Sequence, residues 1–219
     1  MGSASSKSTT KSTAPSPLAD VAVYGITFAP NDVLWLWSDV GVMRHDPASD
    51  EWTAFAADDY SMFEGVGYVL VASDGTVWGG GDYGLASYDG DDWSAPITAD
   101  DGTLIGDEYG EVHGIAESPD GSVWVAADGN LYHLDDGQWS RYHWPDDWIG
   151  TIAIGLDGAV WVGSNDALGR FYPSSGEWET FTPEDGLIHH DVRAIHVTPD
   201  GVVWIGTGGG VSRYAPEDE

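Results

Sequence analysis

Short apolar runs recur along the chain, and each follows a turn sequence and carries a tryptophan. The runs VWVA, VWVG and VWIG are apolar at nearly every position, which predicts β-strands that are buried on both faces. The tryptophans recur at spacings of 43, 46, 37 and 43 residues. A period of that length indicates an array of structural repeats. The five residues are Trp35, Trp78, Trp124, Trp161 and Trp204.

Each repeat has the apolar and polar pattern of four strands. An apolar strand comes first, and a turn rich in Asp, Gly and Pro joins it to the tryptophan strand, which is a strong hairpin signal. A third strand ends in Tyr or His, and a fourth carries a second tryptophan. Four antiparallel strands per repeat, in sheets buried face to face, predict a β-propeller. The second tryptophan series is Trp52, Trp93, Trp139 and Trp178.

The pattern therefore predicts an all-β, five-bladed β-propeller of four-stranded antiparallel blades. The last blade lacks a tryptophan-bearing fourth strand. A strand from the N-terminus, near residues 9–13, would close it; a three-stranded last blade and an open fragment of a larger array are the alternatives. Residues 1–19 are rich in Ser, Thr, Lys and Pro, and we expect a disordered linker there. The blades are expected at about residues 21–58, 66–102, 111–146, 149–186 and 191–216.

One repeat carries a family resemblance over its whole length. Residues 157–187, DGAVWVGSNDALGRFYPSSGEWETFTPEDGL, resemble the repeat of the two-component regulator propeller family, and residues 200–214 resemble its first half. In that family such repeats form the extracytoplasmic sensor half of bacterial signalling proteins. The resemblance implies a ligand- or partner-binding platform outside the cytoplasm. It carries over no catalytic residues, so a protein that is not an enzyme is expected.

The charge balance narrows the range of partners. The chain has 37 acidic and 7 basic residues, a formal net charge of −30. Neither nucleic acid nor an anionic membrane surface is expected to bind, because phosphate recognition needs a basic surface. The excess of Asp has three interpretations: turn chemistry with solubility, adaptation to high salt, and binding of a divalent cation such as calcium. No apolar run approaches the ~18 residues of a membrane span, and no apolar secretory segment follows Met1. We expect a monomer.

Candidate binding residues are found where the repeats disagree. The first strand of each propeller blade lines the central channel, so polar or aromatic residues that break the repeat there are the best candidates. The alternative is that these residues are simply solvated in a channel that binds no ligand. Seven residues before the turn Asp, or its equivalent Asn31, the repeats have Tyr24, Gly67, His113, Gly150 and Arg193. Two positions further upstream they have Ala22, Gly65, Glu111, Trp148 and Asp191.

The sequence leaves three functions open. The first is a non-enzymatic propeller that binds a glycan, peptide or protein on an acidic, aromatic-bearing loop face. The second is an enzyme that resembles the propeller lyases related to streptogramin lyase, with a divalent metal in the channel, His113 and Glu111 as bases and Arg193 as electrophilic support. The third is a structural scaffold without a ligand. His189, His190 and Asp191 form the densest group of potential metal ligands, but their spacing matches no known metal motif.

Overall fold

The computed structural model describes residues 18–56, 67–94, 97, 105, 111–127, 129–145 and 148–215. These residues form eighteen β-strands and one short 3₁₀ turn, Pro183–Asp185. The strands are β1 (Val23–Phe28), β2 (Leu34–Ser38), β3 (Gly41–Asp46), β4 (Glu51–Ala56), β5 (Tyr68–Val71), β6 (Val77–Gly81), β7 (Gly84–Tyr88), β8 (Val112–Glu117), β9 (Val123–Ala127), β10 (Asn130–Asp135), β11 (Gln138–His143), β12 (Thr151–Ile154), β13 (Val160–Gly163), β14 (Leu168–Tyr172), β15 (Glu177–Phe181), β16 (Val192–Val197), β17 (Val203–Thr207) and β18 (Gly210–Tyr214).

The strands form five antiparallel sheets, numbered here 1 to 5 in chain order. Sheets 1, 3 and 4 have four strands each, as predicted, and each is a simple meander. Within the described residues, sheet 5 consists of the three strands β16 to β18. The strand proposed near residues 9–13 lies outside the described residues.

Sheet 2 differs from the prediction, because its described residues form three strands, β5 to β7. Beyond them an isolated bridge joins Tyr88 to Trp93, and the Ser94 and Ile97 amides donate to the Ser87 and Leu85 carbonyls at 2.8 and 2.9 Å. The sequence after Trp93 is Ser-Ala-Pro, and proline has no amide hydrogen to donate to a sheet. A regular fourth strand is therefore disfavoured at this place.

The first hairpin of every sheet uses the same turn. In sheet 2 the Ala72 amide donates to the Thr76 carbonyl at 2.8 Å, and the Asp74 carboxylate accepts from the Thr76 amide at 2.8 Å. Gly75 follows at φ 92°, a left-handed conformation that glycine adopts without strain. Sheet 1 places Asp32 at this point with φ 63°, which Asp tolerates better than most residues. The Asp-Gly pairs that predicted the hairpins therefore supply the carboxylate acceptor and the left-handed residue that this turn needs.

The core lies between consecutive sheets, and the first tryptophan series fills it. Trp161 of sheet 4, for example, lies 5.0 Å from the Tyr214 ring of sheet 5, centroid to centroid. Four of the five tryptophans are only 1–7% exposed, because the following sheet covers each of them. Trp204 of sheet 5 is 44% exposed, so the expectation that the run VWIG is buried on both faces is wrong at this residue. The four buried ones are Trp35, Trp78, Trp124 and Trp161.

The five sheets follow one another around a common inner side. The first strand of each sheet lies beside the first strand of the next, in the order β1, β5, β8, β12 and β16. Within the described residues, β1 and β16 do not pack side by side in this way. Ile26 and Phe28 of β1 are accordingly exposed. No helix in the described part of the chain is long and apolar enough to cross a membrane.

Candidate functional site

A β-bulge recurs at the inner strands and determines where the candidate side chains point. In sheet 3 the strand register shifts between Val112 and Gly114, so His113 is the extra residue. The same shift makes Tyr24 the extra residue of sheet 1 and Arg193 that of sheet 5. A bulge leaves its extra residue out of the regular pairing and redirects its side chain. One of the two positions that vary between repeats is thus also released from the sheet.

Sheet 4 has the same irregularity with a glycine. The Gly150 amide donates to the Gly163 carbonyl at 2.8 Å, while Thr151 pairs with the same Gly163 in the strand register. A Cβ atom on Gly150 would lie 2.1 Å from the Trp148 ring. The absence of a side chain at Gly150 therefore lets the indole of Trp148 lie across the inner strand. Gly67 has the corresponding role under the buried ring of Trp37, also at 2.1 Å.

Three predicted residues, Glu111, His113 and Trp148, meet in one cluster. We call it the His113 cluster and include Tyr68 in it, because the Glu111 charge raises the pKa of that phenol. The rings of His113 and Trp148 lie 5.4 Å apart between centroids, at 60°. The His113 Nδ1 atom is 3.9 Å from the Glu111 carboxylate. The Trp148 ring remains 37% exposed, and the Glu111 carboxylate also faces solvent. The cluster thus presents an indole and a carboxylate to solvent beside a largely buried imidazole, and the three groups come from two neighbouring sheets.

The electrostatics of the cluster keep its imidazole neutral. Burial lowers the pKa of His113, and the negative charge of Glu111 opposes this only in part. The cluster therefore has a neutral ring at pH 7, which donates one hydrogen bond and accepts another. Burial raises the pKa of the Tyr68 phenol, and Glu111 raises it further. Tyr68 is consequently a hydroxyl donor over the whole physiological range.

Tyr68 was not among the sequence candidates, although a signal for it exists. It follows Gly67 directly, so it lies one residue after the repeat position that His113 occupies. At that next position four repeats have a small residue and only sheet 2 has a large aromatic one. The five residues are Gly25, Tyr68, Gly114, Thr151 and Ala194.

The remaining candidates do not join the His113 cluster. Arg193 forms an ion pair with Asp191, its Nε and Nη2 atoms lying 2.9 and 2.7 Å from the carboxylate. The Arg193 guanidinium lowers the pKa of Asp191. Tyr24 is about half exposed on β1. Among the described residues, no hydrogen bond, ion pair or ring contact links these three to His113.

The histidine pair at the start of sheet 5 is also accounted for by local contacts. The rings of His189 and His190 stack at 4.3 Å and 23°. His189 accepts from the Asp191 amide at 3.1 Å, and His190 contacts the Asn165 carbonyl through Nδ1. In the part of the chain that the structure describes, no three His, Cys, Asp or Glu side chains are arranged to hold a metal ion.

Comparison with known proteins links this geometry to a family. Residues 186–209 match the family model described as a two component regulator propeller. The chain contains a repeat of this family. The matched residues are the end of the fourth repeat and the whole of β16 and β17, which agrees with the resemblance of residues 157–187 and 200–214. No curated protein sequence matches the chain.

Solved structures similar to this chain include a bacterial sensor domain, a lyase and a component of a secretion system. The extracellular domain of a putative one component system from B. thetaiotaomicron matches with a TM-score of 0.76 at 16% identity, covering 90% of this chain and 28% of that one. Virginiamycin B lyase from Staphylococcus aureus matches at 0.65 and 18%, covering 90% and 71%. PorZ, a surface component of the type-IX secretion system of Porphyromonas gingivalis, matches at 0.69 and 18%, covering 86% and 31%. At these identities the likeness is one of fold, and the chain spans less than a third of the sensor domain.

Proposed function

We propose that the five sheets act as five consecutive blades of an extracytoplasmic, monomeric β-propeller that binds a ligand at its inner side and is not an enzyme. The observation that carries the proposal is the His113 cluster. Its polar and aromatic groups come from sheets 2, 3 and 4, and bulges or glycines position them where the repeats differ most. Fold likeness to extracellular sensor domains supports the same assignment.

The chemistry of the cluster favours a carbohydrate or a peptide as the ligand. An exposed indole offers a flat apolar surface for the apolar face of a sugar ring or for a peptide side chain. The Glu111 carboxylate accepts from hydroxyl or ammonium donors, and the Tyr68 phenol and neutral His113 imidazole add donors of moderate strength. The net charge of −30 makes a neutral or basic ligand more favourable than an anionic one.

Calorimetric titration with a panel of neutral oligosaccharides and basic peptides tests this proposal. We expect one class to bind to the wild-type chain, and the Trp148→Ala and His113→Ala variants to lose about tenfold or more in affinity, which corresponds to roughly 1.4 kcal/mol or more per contact. Phe28→Ala is the matched control, since it removes an exposed aromatic ring from β1, in a sheet that contributes no residue to the cluster. If Phe28→Ala and Trp148→Ala have equal effects, the ligand does not bind at the cluster.

A lyase is the second candidate, and one observation favours it. The His113–Glu111 pair lies at the inner strands of a fold shared with virginiamycin B lyase. Arg193, the expected electrophilic partner, is instead bound to Asp191. Incubation with the streptogramin quinupristin and a divalent cation tests this function. Turnover that His113→Ala abolishes would establish the lyase and overturn the non-enzymatic proposal.

A further inference from the structure

Sheet 5 exposes a face that is built like a core. We call it the Trp204 face. His196, Trp204 and Arg213 are direct cross-strand partners in its centre. Trp204 is 44% exposed and Val211 is 61% exposed, which is unusual for an indole and a β-branched side chain in the middle of a sheet. The face consists of Ala194, His196, Trp204, Gly206, Val211 and Arg213.

The same face is covered in each of the other four sheets, and always by the next sheet. Trp161 of sheet 4 packs with Val203 and Ile205 from the second strand of sheet 5. Trp124 of sheet 3 packs in the same way with Val160 and Val162 of sheet 4. A third-strand aromatic ring completes each of these two contacts, Tyr214 at 5.0 Å from Trp161 and Phe171 at 5.9 Å from Trp124.

A cationic side chain adds polar specificity to this junction. Arg170 of sheet 4, which pairs with Trp161 across the strands, has its guanidinium 5.0 Å from the Trp161 ring. It donates to the Tyr214 hydroxyl of sheet 5 at 3.1 Å and to Asp157 at 2.6 Å. Arg213 occupies the corresponding place beside Trp204 in sheet 5. The Trp204 face thus repeats both halves of the junction chemistry, the indole and the guanidinium.

We propose that the Trp204 face is the docking site for a sixth sheet of the same repeat. Its second strand would present two β-branched residues to Trp204, as Val203 and Ile205 do to Trp161. Its third strand would present a tyrosine whose hydroxyl accepts from Arg213, as that of Tyr214 accepts from Arg170. The four junctions within the chain define this partner, because each of them covers the equivalent tryptophan with a sheet of this kind.

Two other occupants fit the face less well. Sheet 1 has the complementary side, and Ile26 and Phe28 of its first strand are open there, at 63% and 62% exposure. Its central residues Leu36 and Met43, however, are already buried, at 1% and 4% exposure. The centre of that side is therefore already covered against Trp204, whether from the same chain or from a second copy. Two Trp204 faces packed together would bring two Arg213 guanidinium groups into one apolar contact, which like-charge repulsion and desolvation oppose.

The fold comparisons are consistent with a propeller that has more than five sheets. This chain aligns over 90% of its own length but covers 71% of virginiamycin B lyase. A propeller with this sheet geometry therefore accommodates more chain than the five sheets provide.

An extended chain tests the proposal directly. Tyr214 and Phe171 occupy equivalent places opposite Val203 and Val160, so residues 1–214 followed by a second copy of residues 172–215 keep the repeat register. The second copy supplies a fourth strand for sheet 5 and then a sixth sheet. Its own equivalent of Trp204 is replaced by Phe, so that the original Trp204 is the residue observed. A matched control carries Val203→Asp and Ile205→Asp in the second copy only.

The readout is acrylamide quenching of Trp204, taken as the difference between each chain and its Trp204→Phe counterpart. In the extended chain we expect the quenching constant of Trp204 to fall to that of Trp161, and the melting temperature to rise. The control chain should keep Trp204 as accessible as it is in the unextended protein. If Trp204 stays accessible in a folded extended chain, the proposal is overturned.

The unextended protein provides a test that does not depend on the extension folding. We expect it to be monomeric by light scattering, and Trp204→Arg to leave its melting temperature unchanged. A dimer that Trp204→Arg dissociates would identify a second copy as the occupant. A monomer in which Trp204 is protected and Trp204→Arg is strongly destabilising would identify closure on the chain's own first sheet. Either result would overturn the proposal of a sixth sheet.

Discussion

Trp161 and Trp204 occupy the same position of two neighbouring repeats, yet their surroundings differ completely. Trp161 is 1% exposed and packs beneath sheet 5, whereas Trp204 is 44% exposed. Both lie in the run V-W-(V/I)-G, and both have an arginine opposite them across the strands. The residue itself therefore does not determine burial. The presence of a following sheet does, and the stability of each repeat is in part a property of its neighbour.

The largest expected difference between the two positions is in stability. Trp161→Ala should cost about 3–5 kcal/mol of unfolding free energy, because it leaves a cavity between two sheets and removes the ring beneath Arg170. Trp204→Ala should cost less than about 1 kcal/mol, as for an exposed side chain. Urea denaturation of the two variants measures both values. Equal losses would mean that Trp204 is covered in solution.

A smaller difference is expected between the two glycines of the inner layer. Gly67→Ala would push a Cβ into the ring of Trp37, which is fully buried, and should cost roughly 1–3 kcal/mol. Gly150→Ala meets the partly exposed ring of Trp148, which can swing toward solvent, so its stability loss should be smaller. Thermal denaturation gives the stability of both variants, and ligand titration gives their affinity. We expect Gly150→Ala to weaken binding more than Gly67→Ala, and the reverse order would separate Trp148 from the binding site.

The smallest expected effect concerns the ion pair at the covered junction. Burial raises the pKa of Asp157, but the Ala159 amide and the Arg170 guanidinium outweigh it and hold the pKa below its ordinary value. A lowered pKa in the folded state stabilises the fold above the ordinary carboxyl pKa of about 3.9, and this contribution is lost as the pH falls through the folded value. Asp157→Asn should therefore destabilise the protein at pH 7 and have little effect near pH 2.

Asp200 is the matched control for that prediction, since it is the turn residue of sheet 5. Its pKa is lowered mainly by the hydroxyl of Thr198, with only a minor contribution from Arg213. Asp200→Asn should consequently cost less at pH 7 than Asp157→Asn. Chemical denaturation across pH 2–8 measures the unfolding free energy of both variants. Identical pH profiles would show that burial at the junction between sheets 4 and 5 does not strengthen the Asp157–Arg170 ion pair.

Sequence reasoning predicted the strands well because their signals are local. The turns and the tryptophan runs depend on residues close together in the chain, and the structure confirms both in all five sheets, with Asn31 and Asp32 in place of Asp-Gly in sheet 1. Among the described residues, sheet 2 departs from the predicted four strands at the segment Trp93-Ser-Ala-Pro, whose proline has no amide hydrogen for a regular strand. The exposure of Trp204 could not be read from its own repeat, because what covers a tryptophan is always supplied by the next repeat.

The candidate site was predicted in part, for a related reason. Aligning the repeats identified Glu111, His113 and Trp148, which the structure brings together, because polar or aromatic residues replace the repeat pattern at two neighbouring positions, one of which is the bulge at His113. The same alignment included Tyr24, Asp191 and Arg193, which lie at the two outer sheets of the array and do not reach the cluster. Aligning repeats shows which residues occupy equivalent positions, but not which sheets lie near one another on the inner side.

Selective quenching of single tryptophans tests the central claim, that a following sheet and not the repeat sequence buries this position. Acrylamide quenching is compared for the wild-type protein, Trp204→Phe and Trp161→Phe, each folded by far-UV circular dichroism. The account predicts that Trp204→Phe removes a large quencher-accessible component of the emission, while Trp161→Phe leaves the accessible component intact. If both substitutions reduce the accessible component equally, or if neither does, the contrast between the two tryptophans does not exist in solution.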